Sequence, residues 1–567
     1  MKKFILAAVA ACVLSCFRGQ ACTNVIVTPG ASVNGSAMVS YAADSHVLFG
    51  ELYSTPARHF WPGATLDITE WDTYRPLGKI QQVQRTLRTV GNMNEMAVII
   101  GETTWGGRDE QVDPDGIMDY GSLIYVTLQR AKTAREAIDI IVDLANTYGY
   151  PSGGETFSIA DVSEAWIMDL VGKGKGNRGI VWVARRIPDG YICAHANQAR
   201  ITRFPQDDPA NCLFAPDVIE FAREKGWYKG SDADFSFRDA YNPLDFSGAR
   251  GCDARAWSAF NILCDGVFTW REKGVEVSRP AGEWLKYAMG YDLGGEMPLF
   301  VKPQRKVSPK DVADVMRDHY EGTPMDMTQD IGAGGNACPY RWRPMDFEWG
   351  GKTYCNERAI ATQQTGFWFV AEARPNLPKE AAALVWFGCD DAATSYLTPI
   401  YVSTFRIPEC LKPGNGDILH YSPTSQFWMC NRVAQACYKM YDRMAPFVRA
   451  EADRFEKEMM EEAVPALDAK LAKILRHNGP FRRLRARIMT TIFTRRTAER
   501  QFKVWKQLEE TLLVKFIDGN IKAQNEDGSF VCSEYNAGTP EGLEYGGYND
   551  IWKAAVAREH GSVIEVK

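Results

Sequence analysis

Residues 21–45 read ACTNVIVTPGASVNGSAMVSYAADS and place a cysteine directly before two strand-like segments. The segments TNVIVT (23–28) and SAMVSYA (36–42) are rich in apolar and β-branched residues, and glycine, serine and asparagine separate them. This pattern predicts an antiparallel hairpin that begins next to Cys22. Its position makes the thiol of Cys22 the first candidate for chemistry.

The segment before Cys22 has the composition of a secretory signal. A basic start (1–3) is followed by an apolar run (4–14) and by small residues just before the predicted signal-peptide cleavage site, which follows Ala21. The apolar run is too short to span a bilayer as a helix. We therefore expect export to the periplasm, the cell envelope or the medium, with Cys22 as the new N-terminus. Two alternatives stay open: an N-terminal core helix, and a lipoprotein cut before Cys16 in the lipobox-like VLSC.

Composition excludes several classes of function. The 567-residue chain has a formal net charge of −6, and removal of the predicted signal would take away three further positive charges. This acidic balance argues against nucleic acid as a partner. No later apolar run is long and charge-free enough for a stable membrane span. The 14 cysteines show neither CxxC nor zinc-finger spacing, so we expect no metal site and no cofactor, and disulfide pairing stays open.

Strand-like and helix-like segments alternate from Cys22 to about residue 430. A helix over 134–147 is predicted by a capping box of Thr133 and Glu136 and by apolar residues on one face. Antiparallel hairpins with helices outside them predict an α+β layered core. The further predicted strands are MAVIIGET (96–103), ETFSIAD (155–161), EAWIMDL (164–170), GIVWVARR (179–186), GYICAHA (190–196), TGFWFVAEA (365–373) and AALVWFGCD (382–390).

The composition changes after residue 430 to charged, helical periodicity. We therefore divide the chain into a signal peptide (1–21), a catalytic domain (22–430) and a mainly helical C-terminal region (431–567) packed on it. The segment FRRLRARIMTTIFTRR (481–496) carries six arginines. They predict either a solvated face that balances the acidic residues upstream or a helix that binds a membrane surface or a partner.

An N-terminal cysteine can combine a nucleophile and a base in one residue. A thiol with a pKa of ~8.5 is only a few per cent ionised at neutral pH, and an α-amine with a pKa of ~7.7–8 can accept its proton. Such a site also needs an oxyanion donor, for which Asn197 at the end of the strand AHANQ is a candidate. Strand alternation would turn His195 and Asn197 to the same face. Asp44 at the end of the first hairpin is a candidate to orient the amine, although Asn197 and Asp44 can equally be turn residues.

The ordered set of segments resembles the bacterial dipeptidase A family of N-terminal-nucleophile (Ntn) cysteine hydrolases, which includes secernin-like proteins. The resemblance covers residues 22 to about 440. Its segments are CTNVIV, GSAMVSYAADS, GETTWGGRDE (101–110), DYGSLIYVTLQRAKTAREAI (119–138), AHANQARI (194–201), PYRWRP (339–344), NERAIATQQTGFWFVAEAR (356–374) and WFGCDDAATS (386–395).

The resemblance implies an αββα sandwich of two largely antiparallel sheets between helical layers, with a helical C-terminal portion. It implies that Cys22 is the nucleophile with its own amine as base, that Asp44 lies near the amine and that Asn197 is the oxyanion donor. The related penicillin V and bile-salt acylases, and many dipeptidases, have an arginine three residues before this aspartate. Here that position is Tyr41, so the help of the arginine is absent or comes from Arg255 or Arg108. Tyr41, Arg108 and Arg255 are candidate substrate-binding residues.

The segment ETTWGGR (102–108) has two interpretations. It can line the substrate cleft, with Thr103 as a substrate-binding residue and Trp105 as an apolar wall, or it can be a glycine-rich hairpin kept for its backbone shape. Asp390 and Asp391 form an adjacent acidic pair, but no spaced calcium ligands accompany them.

Three functions are compatible with these residues. The first is an exported cysteine dipeptidase that acts on dipeptides without a metal, as a monomer or a homo-oligomer. The second is an N-acyl amide hydrolase of the penicillin V or bile-salt acylase type. The third is a non-catalytic, secernin-like binding protein, which the tyrosine at position 41 keeps open.

Overall fold

The computed structural model describes residues 22–477 and 479–566. The predicted signal segment, and with it the choice between Ala21 and Cys16, lies outside the described residues. The described chain combines antiparallel sheets with a helical C-terminal portion, which confirms the α+β class. The predicted domain boundary at residue 430 stays a prediction.

Most of the strands lie between Cys22 and residue 401. In chain order they are β1 (Asn24–Val27), β2 (Ala37–Asp44), β3 (Ser54–Thr55), β4 (Thr65–Thr69), β5 (Pro76–Gln81), β6 (Thr89–Val90), β7 (Met93–Asn94), β8 (Ile99–Trp105), β9 (Gly154–Ala160), β10 (Ala165–Gly172), β11 (Ile180–Arg186), β12 (Ile192–His195), β13 (Cys212–Phe214), β14 (Val267–Glu272), β15 (Val275–Pro280), β16 (Asp346–Trp349), β17 (Lys352–Cys355), β18 (Thr365–Ala373), β19 (Ala383–Cys389), β20 (Thr398–Tyr401), β21 (Asn520–Ile521), β22 (Cys532–Ser533), β23 (Asn536–Pro540) and β24 (Glu544–Tyr545).

Helices flank the sheets and dominate from residue 426 onward. The α-helices are α1 (Tyr120–Leu128), α2 (Ala134–Tyr148), α3 (Val218–Glu224), α4 (Phe237–Tyr241), α5 (Ala254–Leu263), α6 (Leu285–Ala288), α7 (Pro309–Val315), α8 (Lys379–Ala382), α9 (Gln426–Cys437), α10 (Tyr441–Lys457), α11 (Val464–Arg476), α12 (Arg482–Lys515) and α13 (Asp550–Ile564). A π-helical stretch, Glu458–Ala463, joins α10 to α11.

Two large antiparallel sheets organise the described chain. The first has the strand order β12-β1-β2-β18-β19-β20, and the second has the order β13-β11-β10-β9-β8-β7-β6-β3. Strand β2 contacts β8 and β9 of the second sheet. Helices α5, α7, α9 and α12 contact strands of the first sheet, and α1 and α2 contact strands of the second.

Strand β18 shows why the first sheet lies inside the molecule. Every residue of TGFWFVAEA is buried. Phe367 and Phe369 belong to the apolar cluster shared with the second sheet, whereas Trp368 and Val370 belong to the cluster shared with the helices. Because successive side chains of a strand point to opposite faces, this alternation gives the sheet two apolar faces, and both are covered.

The local predictions hold with two differences. Helix α2 begins after Thr133, whose side chain accepts the N–H of Glu136, but the Glu136 carboxylate accepts the N–H of Lys132 and does not complete the predicted capping box. Strand β12 ends at His195, and Asn197 has a φ of 53°. Strand alternation therefore does not extend to Asn197, although both side chains contact β8, His195 at Thr103 Oγ1 and Asn197 at the carbonyl of Thr104.

The structure also bears on membrane and disulfide predictions. None of the helices within residues 22–477 and 479–566 is both long and apolar enough for a transmembrane segment. All 12 cysteines of the described chain are free thiols, and most are buried.

Candidate active site

Cys22 lies at the edge of the core, just before β1. An antiparallel bridge between Thr23 and Ala42 fixes its backbone, with N···O distances of 3.3 and 3.0 Å. Its Sγ lies 3.7 Å from Tyr41 Oη and 3.7 Å from Glu102 Oε1. Burial, followed by the charges of Glu102 and Asp44, raises the pKa of the thiol well above its usual value. A base is therefore required if this thiol is to act as a nucleophile near neutral pH.

Asp44 ends β2 and is completely buried beside the start of β1. Arg358 Nη2 donates to its Oδ2 at 2.6 Å, and Thr365 Oγ1 donates to its Oδ1 at 2.7 Å. Burial raises the pKa of Asp44, while Arg358 and Thr365 oppose this shift. Register explains the Thr365 contact, because β2 pairs with β18 so that Asp44 lies opposite Thr365.

Asn197 follows β12 in a left-handed backbone conformation. Its Nδ2 donates to the carbonyl oxygen of Thr104 at 2.5 Å, and its Oδ1 accepts from Arg255 Nη2 at 2.9 Å. A guanidinium can only donate and a carbonyl can only accept, so the orientation of the amide is determined. One N–H of Nδ2 remains for a further acceptor.

Arg255, on α5, connects this amide to the cysteine. It is buried, and its Nη1 donates to the carbonyl oxygen of Cys22 at 2.7 Å and to Thr23 Oγ1 at 2.9 Å. Its Nε donates to the Gly251 carbonyl at 3.0 Å. One planar guanidinium therefore holds Cys22, Thr23 and Asn197 in a fixed arrangement.

This geometry agrees with a comparison of the sequence with known families. Residues 21–454 match the model of peptidase family C69. The chain belongs to peptidase family C69.

Three curated relatives of this C69 chain carry dipeptidase names. The probable dipeptidase of Salmonella dublin is 24% identical over 310 residues, which are 53% of this chain and 59% of that protein. The probable dipeptidase B of Lactococcus lactis subsp. lactis is 23% identical over 451 residues, which are 75% of this chain and 83% of that protein. The probable dipeptidase A of Streptococcus pyogenes serotype M3 is 23% identical over 473 residues, which are 80% of this chain and 90% of that protein.

Tyr41 occupies the position at which the sequence departs from the expected arginine. Its ring makes edge contacts with Phe367 and Phe369, both at 5.7 Å between centroids. Its hydroxyl donates to the Glu102 carboxylate. In this C69 chain the residue beside the thiol is therefore a neutral hydrogen-bond donor, and its partner is an acid.

Three other predicted substrate-binding residues make their contacts elsewhere. Arg108 Nε donates to the Ala240 carbonyl at 2.9 Å, and its guanidinium lies 4.7 Å from the centroid of the Trp227 ring. Trp105 is 2% exposed and lies in the core, where its Nε1 donates to Thr156 Oγ1 at 3.0 Å. Thr103 Oγ1 lies 2.7 Å from His195 Nδ1. Of the two arginines considered as substitutes, Arg255 is the one that contacts Cys22.

His195 links the two sheets and does not contact the thiol of Cys22. Its Nδ1 faces Thr103, and its Nε2 lies 2.7 Å from Ser158 Oγ, so the imidazole bridges the first sheet to the second. Burial lowers the pKa of His195 to about 3. The ring therefore stays neutral at physiological pH.

Sequence reasoning missed the acidic residues beside the thiol. Glu102 and Glu155 are buried in adjacent strands, and Thr104 Oγ1 lies between them, 3.4 Å from Glu102 Oε2 and 2.8 Å from Glu155 Oε1. Tyr120 Oη donates to Asp72 Oδ1 at 2.9 Å, and burial, followed by the charges of Asp72 and Glu102, raises the pKa of Tyr120. The sequence signal that could have identified these two residues was a glutamate within each of two otherwise apolar strands.

In the part of the chain described, no three His, Cys, Asp or Glu side chains are arranged to hold a metal ion.

Proposed function

We propose that this C69 chain is an exported cysteine dipeptidase that uses Cys22 as an N-terminal nucleophile. The observation that carries the proposal is the arrangement in which Arg255 contacts both the carbonyl of Cys22 and the amide of Asn197. Membership of peptidase family C69 and the dipeptidase names of its relatives support hydrolysis of a peptide bond. Two facing antiparallel sheets flanked by helices support the αββα sandwich of Ntn hydrolases as the fold.

The proposed reaction begins with removal of residues 1–21, which frees the α-amine of Cys22. The amine accepts the thiol proton, and Sγ attacks the carbonyl carbon of the scissile peptide bond to form a tetrahedral intermediate. The free N–H of Asn197 Nδ2 stabilises the oxyanion. The ammonium of Cys22 then protonates the leaving amine as the C–N bond breaks, which leaves a thioester on Sγ.

Hydrolysis of the thioester reverses these proton transfers. The α-amine of Cys22 removes a proton from water, the resulting hydroxide equivalent attacks the thioester carbonyl, and the C–S bond breaks. Sulfur leaves as a thiolate and recovers its proton from the ammonium. The net reaction consumes one water and releases two amino acids. Asp44, held by Arg358 and Thr365, orients the amine through both steps.

The test joins the mass of the mature chain to the activity of matched variants. Protein recovered from its secretion route should begin at Cys22, and it should hydrolyse dipeptides. Cys22→Ala should abolish hydrolysis, whereas Cys532→Ser, at an exposed thiol, should retain both activity and sensitivity to thiol alkylation. A mature chain that begins at Cys16 would contradict the self-contained base. Unchanged dipeptide hydrolysis by Cys22→Ala would contradict the nucleophile.

A further inference from the structure

Two buried glutamates without an identified cation belong to the surroundings of the thiol: Glu102 contacts Sγ, and Glu155 is connected to Glu102 through Thr104. Glu102 is 1% exposed and Glu155 is completely buried. Within residues 22–477 and 479–566, neither forms an ion pair with a lysine, arginine or histidine. Glu155 accepts from Thr104 Oγ1 at 2.8 Å and shares a side-chain hydrogen bond with Glu102, while burial raises the pKa of both groups. The pair therefore shares a proton when no ligand is bound, and the charge that it keeps has no counter-charge, which a cationic ligand would supply.

The position of the pair matches one cation in a dipeptide. In an unblocked dipeptide the α-ammonium nitrogen is two bonds from the scissile carbonyl carbon, a distance of about 2.5 Å. When this carbon lies about 3–3.5 Å from the attacking sulfur, the ammonium lies close to the protein groups that contact the sulfur. Glu102 Oε1 lies 3.7 Å from Cys22 Sγ, and Glu155 follows through Thr104.

The rest of the site does not compete for this position. Asp44, the other acid whose charge acts on Cys22, already has Arg358 and Thr365 as partners. Burial raises the pKa of Glu102, and hydrogen bonds from Glu155 and Tyr41 oppose this shift. The group that contacts the thiol is therefore an acid, whereas the donors of Arg255 are engaged by the carbonyl of Cys22, by Thr23 and by Asn197.

We propose that Glu102 and Glu155 bind the free α-ammonium of the substrate and restrict the site to peptides with an unblocked N-terminus. This inference rests on the proposed dipeptidase function and specifies its substrate class. An N-acyl substrate would place an uncharged amide against the two carboxylates and would lose the ion pair. The acid pair thus separates a dipeptidase from an N-acyl amide hydrolase.

The kinetic test compares a dipeptide with its N-acetylated form on each variant. The unvaried protein should prefer the free dipeptide by about 100-fold in kcat/KM, since loss of one partner of a buried charge pair has effects of this size. Glu102→Gln and Glu155→Gln retain the shape of the side chain and should lower kcat/KM for the free dipeptide by tenfold or more. The value for the acetylated form should change little, so the ratio between the substrates falls.

Glu372→Gln is the matched control. Glu372 is also a buried glutamate in a strand, but its carboxylate accepts hydrogen bonds from Trp386 and Asn34. This variant should keep the preference for the free dipeptide. Equal losses of kcat/KM for both substrates in Glu102→Gln and Glu155→Gln would overturn the proposal. They would show that the pair supports hydrolysis of either substrate and does not recognise the ammonium.

A binding measurement separates this inference from the proposed function. Calorimetry with Cys22→Ala reports dipeptide binding without turnover, and addition of Glu102→Gln should weaken binding of the free dipeptide but not of the acetylated one. If no dipeptide is hydrolysed by the unvaried protein yet this difference is found, the proposed reaction is wrong and the ammonium site stands. Equal binding of both peptides to Cys22→Ala refutes the ammonium site even if hydrolysis is observed.

Discussion

At the scale of single residues, the candidate site depends on one arginine. Arg255 donates to Cys22, Thr23 and Asn197 from a single planar group, and it comes from a helix far away in the sequence. Lysine carries the same charge but cannot donate along three fixed directions. The position of the Asn197 amide relative to the thiol is therefore a property of Arg255 as much as of Asn197.

We expect Arg255→Lys to lower kcat for dipeptide hydrolysis by about 100-fold, the size of effect seen when an oxyanion donor is lost. KM should change by less than about threefold, because the missing contacts orient the enzyme's own groups and not the substrate. Steady-state kinetics measures both values. Arg108→Lys provides the comparison, and an equal fall in kcat there would contradict the assignment of this role to Arg255.

Glu155 predicts a dependence of stability on pH. Burial and then the charge of Glu102 raise the pKa of Glu155 well above its usual value. The folded protein therefore holds a proton that the unfolded chain releases above a pH of ~4.3, so the folded state loses stability as the pH rises from there toward the folded pKa. Asp72 and Tyr150 lie in the same electrostatic environment.

Glu155→Gln removes this titration. We expect a higher Tm than that of the unvaried protein at pH 8 and no gain at pH 4, where the carboxyl group is protonated in both states. Thermal unfolding at the two pH values measures the difference. A gain of the same size at pH 4 would show that packing, and not ionisation, accounts for the change.

The sequence identified the site residues that lie at predicted strand ends. It did not identify the residues that come together only through the register of two paired strands. Cys22, Asp44 and Asn197 were candidates because they lie at strand ends and match a family pattern. Glu102 and Glu155 were not, because their proximity requires the register in which Thr104 lies opposite Glu155.

At the scale of elements, α10 is fixed to the sheet region by a buried ion pair. Arg317, just after α7, donates from Nη1 to Glu456 Oε2 at 3.1 Å and from Nη2 to Oε1 at 2.5 Å. Glu456 Oε1 also accepts the N–H of Leu397 at 3.1 Å. Helical periodicity predicted a helical region after residue 430 but gave no information on this contact, which joins residues 139 positions apart.

Glu456→Gln should destabilise the fold by about 3 kcal/mol, because it removes the buried counter-charge of the Arg317 guanidinium and leaves only Asp314, which is partly exposed and 3.6 Å away. Urea unfolding followed by tryptophan fluorescence measures the change. Glu458→Gln, two residues further along the chain and paired with exposed Arg500, should cost less than about 1 kcal/mol. Similar losses for the two variants would mean that the Arg317 pair has no special role.

At the scale of the whole molecule, the C-terminal helices form one face of the core. Val433, Val448 and Trp505 share an apolar cluster with Trp368 and Trp386 of the first sheet. Residues on the two sides of the predicted boundary at residue 430 therefore share buried apolar surface, and the boundary itself stays a prediction. Composition detects the change in periodicity and cannot detect that the two parts share buried surface.

A chain truncated after residue 425 should consequently fail to fold, because the outer face of the first sheet would be exposed to water. Truncation after Asn549 is the matched control, since it removes only α13, none of whose residues is buried. Circular dichroism and limited proteolysis distinguish the two chains. A soluble, protease-resistant chain ending at residue 425 would contradict the shared core.

The contacts of Arg255 have a consequence for activation. They engage the carbonyl of Cys22, the hydroxyl of Thr23 and the amide of Asn197, and none of them requires a free amine at Cys22. Under the proposed mechanism, the uncut chain is then a zymogen in which the contacts of Arg255 are already in place and the free amine of Cys22 is the missing group. Cleavage of the peptide bond before Cys22 would activate the protein without refolding. Dipeptide hydrolysis should therefore appear at the same time as the leader is removed.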